Sequence, residues 1–382
     1  MDCRQLPLKI LIGLAATVLG IILVVGLNPR HSLFTNKVNR LTDGPGLRFR
    51  KYGIACTKPF DVPLDAASVM PDGPPGFSME IAFTSHHQGN SRFGILFMFH
   101  DGDDDAQLLM GQWRNHIVVM NGDDFDYSRK APRVSTDLSE LPQAPVVVTV
   151  TTDGEGTRLY LNGRRVDENR RLTLSFPGGG RSSALVMGNS VYGNIVWEGE
   201  IHGFAVYPHA LAAADVSKHY AEWLENRDFS HALTAAPSML YLFDGRPGAP
   251  VLDRSGRGRH LEVPTRMTVL KRQFLIFSPT DFSLRSAFIQ DVVVNFVGFV
   301  PFGLVFTLLF RRGPLRIQRH AIAFAVILGF AVSLAIEIGQ AWIPSRSSSL
   351  LDLIMNTAGT GTGAMIHGFF CRETPFVSDA PL

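Results

Sequence analysis

Two kinds of hydrophobic pattern divide the chain. Residues 10–27 (ILIGLAATVLGIILVVGL) form an unbroken uncharged run, preceded by Arg4 and Lys9 and followed by Asn28-Pro29. As a helix, this run rises about 27 Å, close to the hydrocarbon thickness of a bilayer. No small-x-small cleavage pattern follows it, so the reading is an uncleaved signal anchor, with a removable signal peptide as the alternative. Three further runs, 287–310, 321–343 and 350–370, fill the last third, each long enough to span. Each carries a single carboxylate: Asp291, Glu337 and Asp352.

Between these ends the period changes to two. The runs FSMEIAF (77–83), FGILFMF (93–99), HIVVM (116–120) and VVVTVTT (146–152) are separated by Gly, Asp and Asn. Many short strands with such punctuation predict a two-sheet all-β sandwich over 46–227. In RLYLNGRRV (158–166), Asn162-Gly163 is the preferred pair for a two-residue type I′ turn, because both positions need positive φ; a hairpin is predicted there.

Composition sharpens this picture. Of 382 residues, 46% are hydrophobic and 18% charged, below the roughly 25% charged of soluble chains, which excludes a disordered tail protein and favours a membrane protein. A net charge of +2, scattered along the chain, gives no basic patch for nucleic acid. Cys3, Cys56 and Cys371 lie far apart with neither a CxxC pair nor a CxxC…H zinc spacing, so neither a disulfide scaffold nor a structural zinc is expected; Cys56 reads as a buried thiol. The link 311–320 (RRGPLRIQRH) holds four arginines, so the positive-inside rule makes it cytoplasmic. Four spans with both termini inside follow, and the region from 28 to 286 is expected outside.

That topology gathers the polar residues of the spans. Asp291 and Asn295 fall in the outer turns of the second span, Ser333, Glu337 and Gln340 in the outer half of the third, and Asp352 and Asn356 at the start of the fourth, with Arg346 in the preceding loop. An ionisable residue in a span costs about 2.5–3.5 kcal/mol even on the lenient scale, so it faces a partner or a wet cavity. Three acids against one arginine predict a site for a proton, a cation, or a cationic or hydroxyl-rich ligand, with helix glue as the plain alternative. Gly359-xxx-Gly363 predicts close approach of the fourth span to a neighbour.

The set Asp291-xxx-Asn295, Pro301-Phe302-Gly303, Glu337-xx-Gln340, Arg346, Asp352-xxx-Asn356 and Gly359-xxx-Gly363 resembles the VanZ family of bacterial membrane proteins, named for glycopeptide-antibiotic resistance. The resemblance implies a bacterial inner-membrane location and supplies no reaction. The fused sandwich departs from the plain family and weakens a role in resistance. TRLYLNGRRVD, then ALVMGN (184–189), then WEGEIHGFAVY (197–207) and the helical stretch 215–223 resemble the laminin-G/concanavalin A-like jelly roll, which implies glycan or protein binding. LYLFDGRPG (240–248) and the following DRSGRGRHL resemble the opening strands of that same fold, so they either add edge strands or form a linker.

The expected architecture is therefore multi-domain: an anchor over 1–28, an extracytoplasmic sandwich over 46–227, a linker with possible extra strands over 228–285, and a VanZ-like helical domain over 286–371. Trp113, Tyr192 and Trp197 are candidates for stacking a sugar ring, against a core role. The loops at 100–105 and 121–126 could give carboxylates to calcium, with Asp101, Asp103 and Asp105 foremost, or be plain solvated turns. Glu198 and Glu200 make no flanking pair for glycoside hydrolysis. The sequence thus points to binding of envelope glycan or exported polysaccharide outside and of a lipid-linked glycan or headgroup in the membrane, with no catalytic set. A membrane enzyme or proton-coupled transporter, in which Glu337 and Asp352 handle protons, and a protein-binding scaffold are the alternatives.

Overall fold

A computed structural model describes residues 7–27, 35–61, 76–87, 89–103, 105–141, 144–177, 182–246, 248–267, 270–272, 274–277, 286–343, 346 and 348–370. Cys3 and Cys371 lie outside the described residues. The chain divides into two compact units, Phe34–Lys271 and a second made of Met1–Leu33 with Arg272–Leu382.

The first unit is two antiparallel sheets face to face. One sheet is built, in spatial order, from β1 (Val38–Arg40), β2 (Leu47–Phe49), β14 (Gly199–Tyr207), β5 (Gly76–Ser85), β10 (Val146–Asp153), β11 (Gly156–Leu161) and β12 (Arg164–Asn169), with β15 (Met239–Tyr241) also on β14. The other is β16 (Leu261–Glu262), β3 (Ala55–Thr57), β13 (Ser182–Met187), β6 (Phe93–His100), β7 (Leu108–Trp113), β8 (His116–Asn121) and β9 (Arg133–Asp137), with β4 (Phe60–Asp61) on β13. This is the jelly-roll-like sandwich read from the period-2 runs. The 240–262 segment supplies an edge strand to each sheet. At the 158–166 hairpin, Leu161 pairs with Arg164 across Asn162 (φ 51°) and Gly163 (φ 76°), both left-handed as a type I′ turn demands.

Alternation decides which side chains enter the core. In β5, Phe77, Met79, Ile81 and Phe83 point between the sheets and join Phe49, Phe97, Phe99, Trp197 and Phe204. The opposite face of the same sheet is also covered. Helix α2 (Ala213–Asn226) lays Val216, Tyr220 and Trp223, spaced one helical face apart, over Ala82, Val147, Tyr160, Ala205 and Tyr207. A 3₁₀ turn at Ser230–Thr234 adds Ala232 to that layer.

The second unit is helical: α1 (Leu8–Leu27), α3 (Ser286–Phe310), the short α4 (Leu315–Arg319), α5 (Ala321–Gln340) and α6 (Leu350–Phe370). Among the described residues, three helices are long and apolar enough to cross a membrane: Leu8–Leu27, Gln290–Phe310 and Ala321–Gln340. Ala15 and Ile22 of α1 pack with Phe299, Phe302, Phe306, Ala325, Ile336 and Ala364, so the N-terminal helix is part of the bundle core. Glycines set the spacing of α3 and α6. A Cβ on Gly359 or Gly363 would fall on the carbonyl of Phe296 or Val300, and one on Gly303 on the carbonyl of Thr360. Only residues without side chains allow two helix backbones this close.

Candidate functional site

The polar residues of the helices meet at one end of the bundle, the end remote from the arginine-rich link. They come from the start of α3, the end of α5, the start of α6 and the segment before α6. Glu337 is 1% exposed and accepts the Ser349 backbone N–H at 2.8 Å, with the Ser348 hydroxyl as a further donor. Ser348, fully buried, also holds the chain at Leu275 and Ile276: its hydroxyl accepts from Leu275 N–H at 3.1 Å and its carbonyl from Ile276 N–H at 2.9 Å. Glu337 thus fixes the approach to α6 from inside the bundle.

Two amides are used structurally. Asn356 donates to Ser333 Oγ at 2.9 Å, joining α6 to α5, and its Oδ1 is buried with no hydrogen-bond partner. Gln340 donates to the Gly26 carbonyl of α1 at 2.9 Å. The sequence reading treated α1 as a separate anchor; the Gly26 contact was not legible, since nothing local in α1 marks which carbonyl is met.

The remaining members are open to their surroundings. Asp352 is half-buried and hydrogen-bonds Asn295 of α3, with Asp291 and Arg346 close enough to act on it electrostatically. Asp291 and Arg346 are both exposed. The expected cluster therefore has two layers: Glu337, Gln340 and Asn356 are committed to the bundle, whereas Asp352, Asn295, Asp291 and Arg346 form a polar rim.

In the sandwich, the sugar-stacking candidates separate. Trp197 is fully buried, donates its indole N–H to Gln112 Oε1 at 2.9 Å and meets Phe83 edge to face, so it is core and is withdrawn as a glycan contact. The large apolar ring was taken between the sheets by the alternation it continues. Trp113 is 43% exposed at the end of β7 with the Arg114 guanidinium over its ring, and the half-buried Tyr192 carries the Lys271 ammonium over its own. In the acidic loop, Asp101 and Asp103 accept the backbone N–H groups of Asp103 and Asp105 at 2.9 and 3.1 Å. In the second, Asp124 is 2% exposed and accepts from Arg133 at 2.6 Å and from the Ala131 N–H. A cleft of about 590 Å³ lies between β1 and the 248–265 segment, lined by Asn36, Asn39, Arg40 and Glu262 among others.

One cluster escaped the sequence reading. Glu80 of β5, 1% exposed, accepts from Tyr207 Oη at 2.7 Å and Thr149 Oγ1 at 3.1 Å, and stands 3.0 Å from His219 Nδ1 of α2 and 3.6 Å from His231 Nε2 of the 3₁₀ turn. Burial pushes its carboxyl up, but the His219 hydrogen bond, the His231 imidazole, the His219 charge and the Tyr207 hydroxyl outweigh it and bring it to about 2. For His219 burial acts downward and the Glu80 contact upward, with a net rise. For Tyr207 burial and then the Glu80 charge raise the phenol well above its ordinary value.

Comparison with known proteins agrees with both units. The family model VanZ/LLP1 matches residues 255–371, and the model of the concanavalin A-like lectin/glucanases superfamily matches residues 67–217. No curated protein matches the chain. Similar solved structures include the receptor-binding domain of a botulinum neurotoxin C/D mosaic serotype (14% identity, TM-score 0.38, covering 51% of this chain and 46% of that one). Another is the Ruminococcus gnavus IT-sialidase CBM40 bound to α2,3-sialyllactose (10% identity, TM-score 0.32, covering 46% and 95%). The chain spans about half the length of the neurotoxin domain it matches. The polypeptide joins a sandwich matched by the concanavalin A-like lectin/glucanases superfamily model to a region matched by the VanZ/LLP1 model, and among its described residues are three helices long and apolar enough to cross a membrane.

Proposed function

We propose that this chain is a binding protein of the bacterial inner membrane, in which the rim of Asp352, Asn295, Asp291 and Arg346 takes the headgroup of a lipid-linked glycan and the sandwich takes an envelope or exported polysaccharide. The observation that carries the reading is the division of the polar cluster. Glu337 is closed off by Ser349 and Ser348, while Asp352, Asp291 and Arg346 stay accessible at the end of otherwise apolar helices. Carboxylates accept hydrogen bonds from sugar hydroxyls, and a guanidinium pairs with phosphate. Both chemistries occur together in a phosphate-linked saccharide. The arginines at 311, 312, 316 and 319 favour a cytoplasmic link by the positive-inside rule, which puts the rim on the extracytoplasmic side. Linking two weak sites in one chain raises the effective concentration of each for a shared ligand.

The serine hydroxyl next to Asp352 belongs to Ser349 and accepts the Asp352 backbone N–H at 3.4 Å, a helix-capping contact, which leaves the carboxylates, the amide and the guanidinium of the rim to bind a ligand. The full chain in detergent is to be tested on a broad glycan array with and without calcium. Retention of one structural class of glycan is expected; no glycan retained under either condition overturns the role given to the sandwich.

A further inference from the structure

The Glu80 cluster has the composition of a metal centre. Its ligand atoms come from three separate elements: a carboxylate oxygen from β5, Nδ1 of His219 from α2, and Nε2 of His231 from the 3₁₀ turn, all within 4.8 Å of one another. Two imidazoles and one carboxylate are a donor set that suits zinc. Zinc bonds of about 2.0–2.1 Å put tetrahedral ligand atoms about 3.3 Å apart. The two separations from Glu80 Oε2, 3.0 and 3.6 Å, lie on either side of that value.

Two further observations point the same way. The His231 side chain is 3% exposed, and its Nε2, 3.6 Å from Glu80 Oε2, is buried without a hydrogen-bond partner. A metal ion uses that lone pair directly. Glu80 is also held from behind: Thr149 Oγ1 donates to Oε1 and Tyr207 Oη to Oε2, the outer partners that orient a ligating carboxylate.

We propose that Glu80, His219 and His231 bind one divalent zinc ion, which fastens α2 and the 3₁₀ turn to the outer face of the first sheet. Three protein ligands leave the fourth tetrahedral position to a water molecule. The ion joins residues 80, 219 and 231, so it closes long stretches of chain and stabilises the layer formed by Val216, Trp223, Phe229 and Ala232.

The test uses the full chain in detergent, free of affinity tags and stripped with a chelator. It is re-equilibrated with zinc sulfate, desalted and analysed for metal, and in parallel loaded with cobalt(II). About one zinc per chain and intense visible bands of tetrahedral cobalt are expected. His231→Asn and His219→Asn should each weaken zinc binding by more than the about 10–100-fold that loss of an outer partner causes. Wild-type chain that retains no zinc after desalting and gives only the pale spectrum of hydrated cobalt overturns the proposal, whatever the variants do. Equal zinc retention by wild type and the double variant also overturns it, because the metal then sits elsewhere.

Discussion

Gly359→Ala and Gly361→Ala place the same methyl group on the same helix with opposite consequences. At Gly359 the new Cβ meets the Phe296 carbonyl, a backbone atom that no rotamer change can move. At Gly361 the nearest atom is Val326 Cγ2 at 4.0 Å, ordinary contact distance. To admit the Gly359 methyl, α6 and α3 must separate by about 1 Å. A gap of that size forfeits about a quarter to a half of each atom-pair attraction of about 0.1–0.2 kcal/mol. For roughly 40 such pairs, the number one buried side chain makes, the loss is about 1–4 kcal/mol, which brackets the about 1–3 kcal/mol of overpacked cores. Gly361→Ala should be neutral or stabilising by up to about 1 kcal/mol, the helix preference of Ala over Gly. Reversible denaturation of the full chain in mixed micelles reads the difference. The Asn295–Asp352 hydrogen bond crosses the same pair of helices, so Gly359→Ala should also disturb the rim. Equal stability of the two variants would refute the close α3–α6 seam.

Other expectations follow from single residues. Glu337→Gln keeps an oxygen that accepts the Ser349 N–H, so ligand binding should survive within about threefold, about 0.65 kcal/mol; abolition of function with the fold intact would favour proton transfer instead. Trp197→Ala should cost about 3–5 kcal/mol as a buried aromatic truncation, whereas Trp113→Ala at an exposed edge should stay within about 0.5 kcal/mol; thermal denaturation in parallel exposes any reversal of that order. Burial, with the Glu262 charge adding to it, raises the Cys56 thiol to about 11, so in a Cys3/Cys371-free chain its alkylation at pH 8 should be about 100-fold slower than that of a thiol at 9, from thiolate fraction alone. The raised value also means that this thiol's share of stability is full below about 9 and declines as pH rises through 11; a rate that levels off near pH 9 would contradict the placement.

Local chemistry made part of this structure readable from sequence. Asn162-Gly163 announces its turn because few residues accept two successive positive φ values. Gly359-xxx-Gly363 announces a close helix contact because one face of a helix repeats every three to four residues. The acids of the spans were legible for a different reason: in an apolar run a charge has no neutral explanation. What stayed hidden depends on partners far along the chain. Period two places Glu80 on the face away from the inter-sheet core, where an acid normally meets water, and only α2, some 139 residues later, buries it. His219 shares a helix with Val216 and Trp223 and reads as the solvated flank of an amphipathic pattern. Gln340 looked like a member of a ligand pocket because the Gly26 carbonyl it meets belongs to a helix at the opposite end of the sequence.

The most direct test of the central claim is equilibrium binding of a polyprenyl-phosphate-linked saccharide to the full chain in lipid nanodiscs, comparing wild type with Asp352→Asn and Arg346→Gln. Loss of one charge-assisted hydrogen bond, about 1.5–3 kcal/mol, corresponds to about 10–150-fold in affinity. The account predicts a weakening in that range for each variant, with Glu140→Gln on the exposed surface of the sandwich unchanged. Wild-type affinity in both rim variants, or no binding by the wild type, would contradict it.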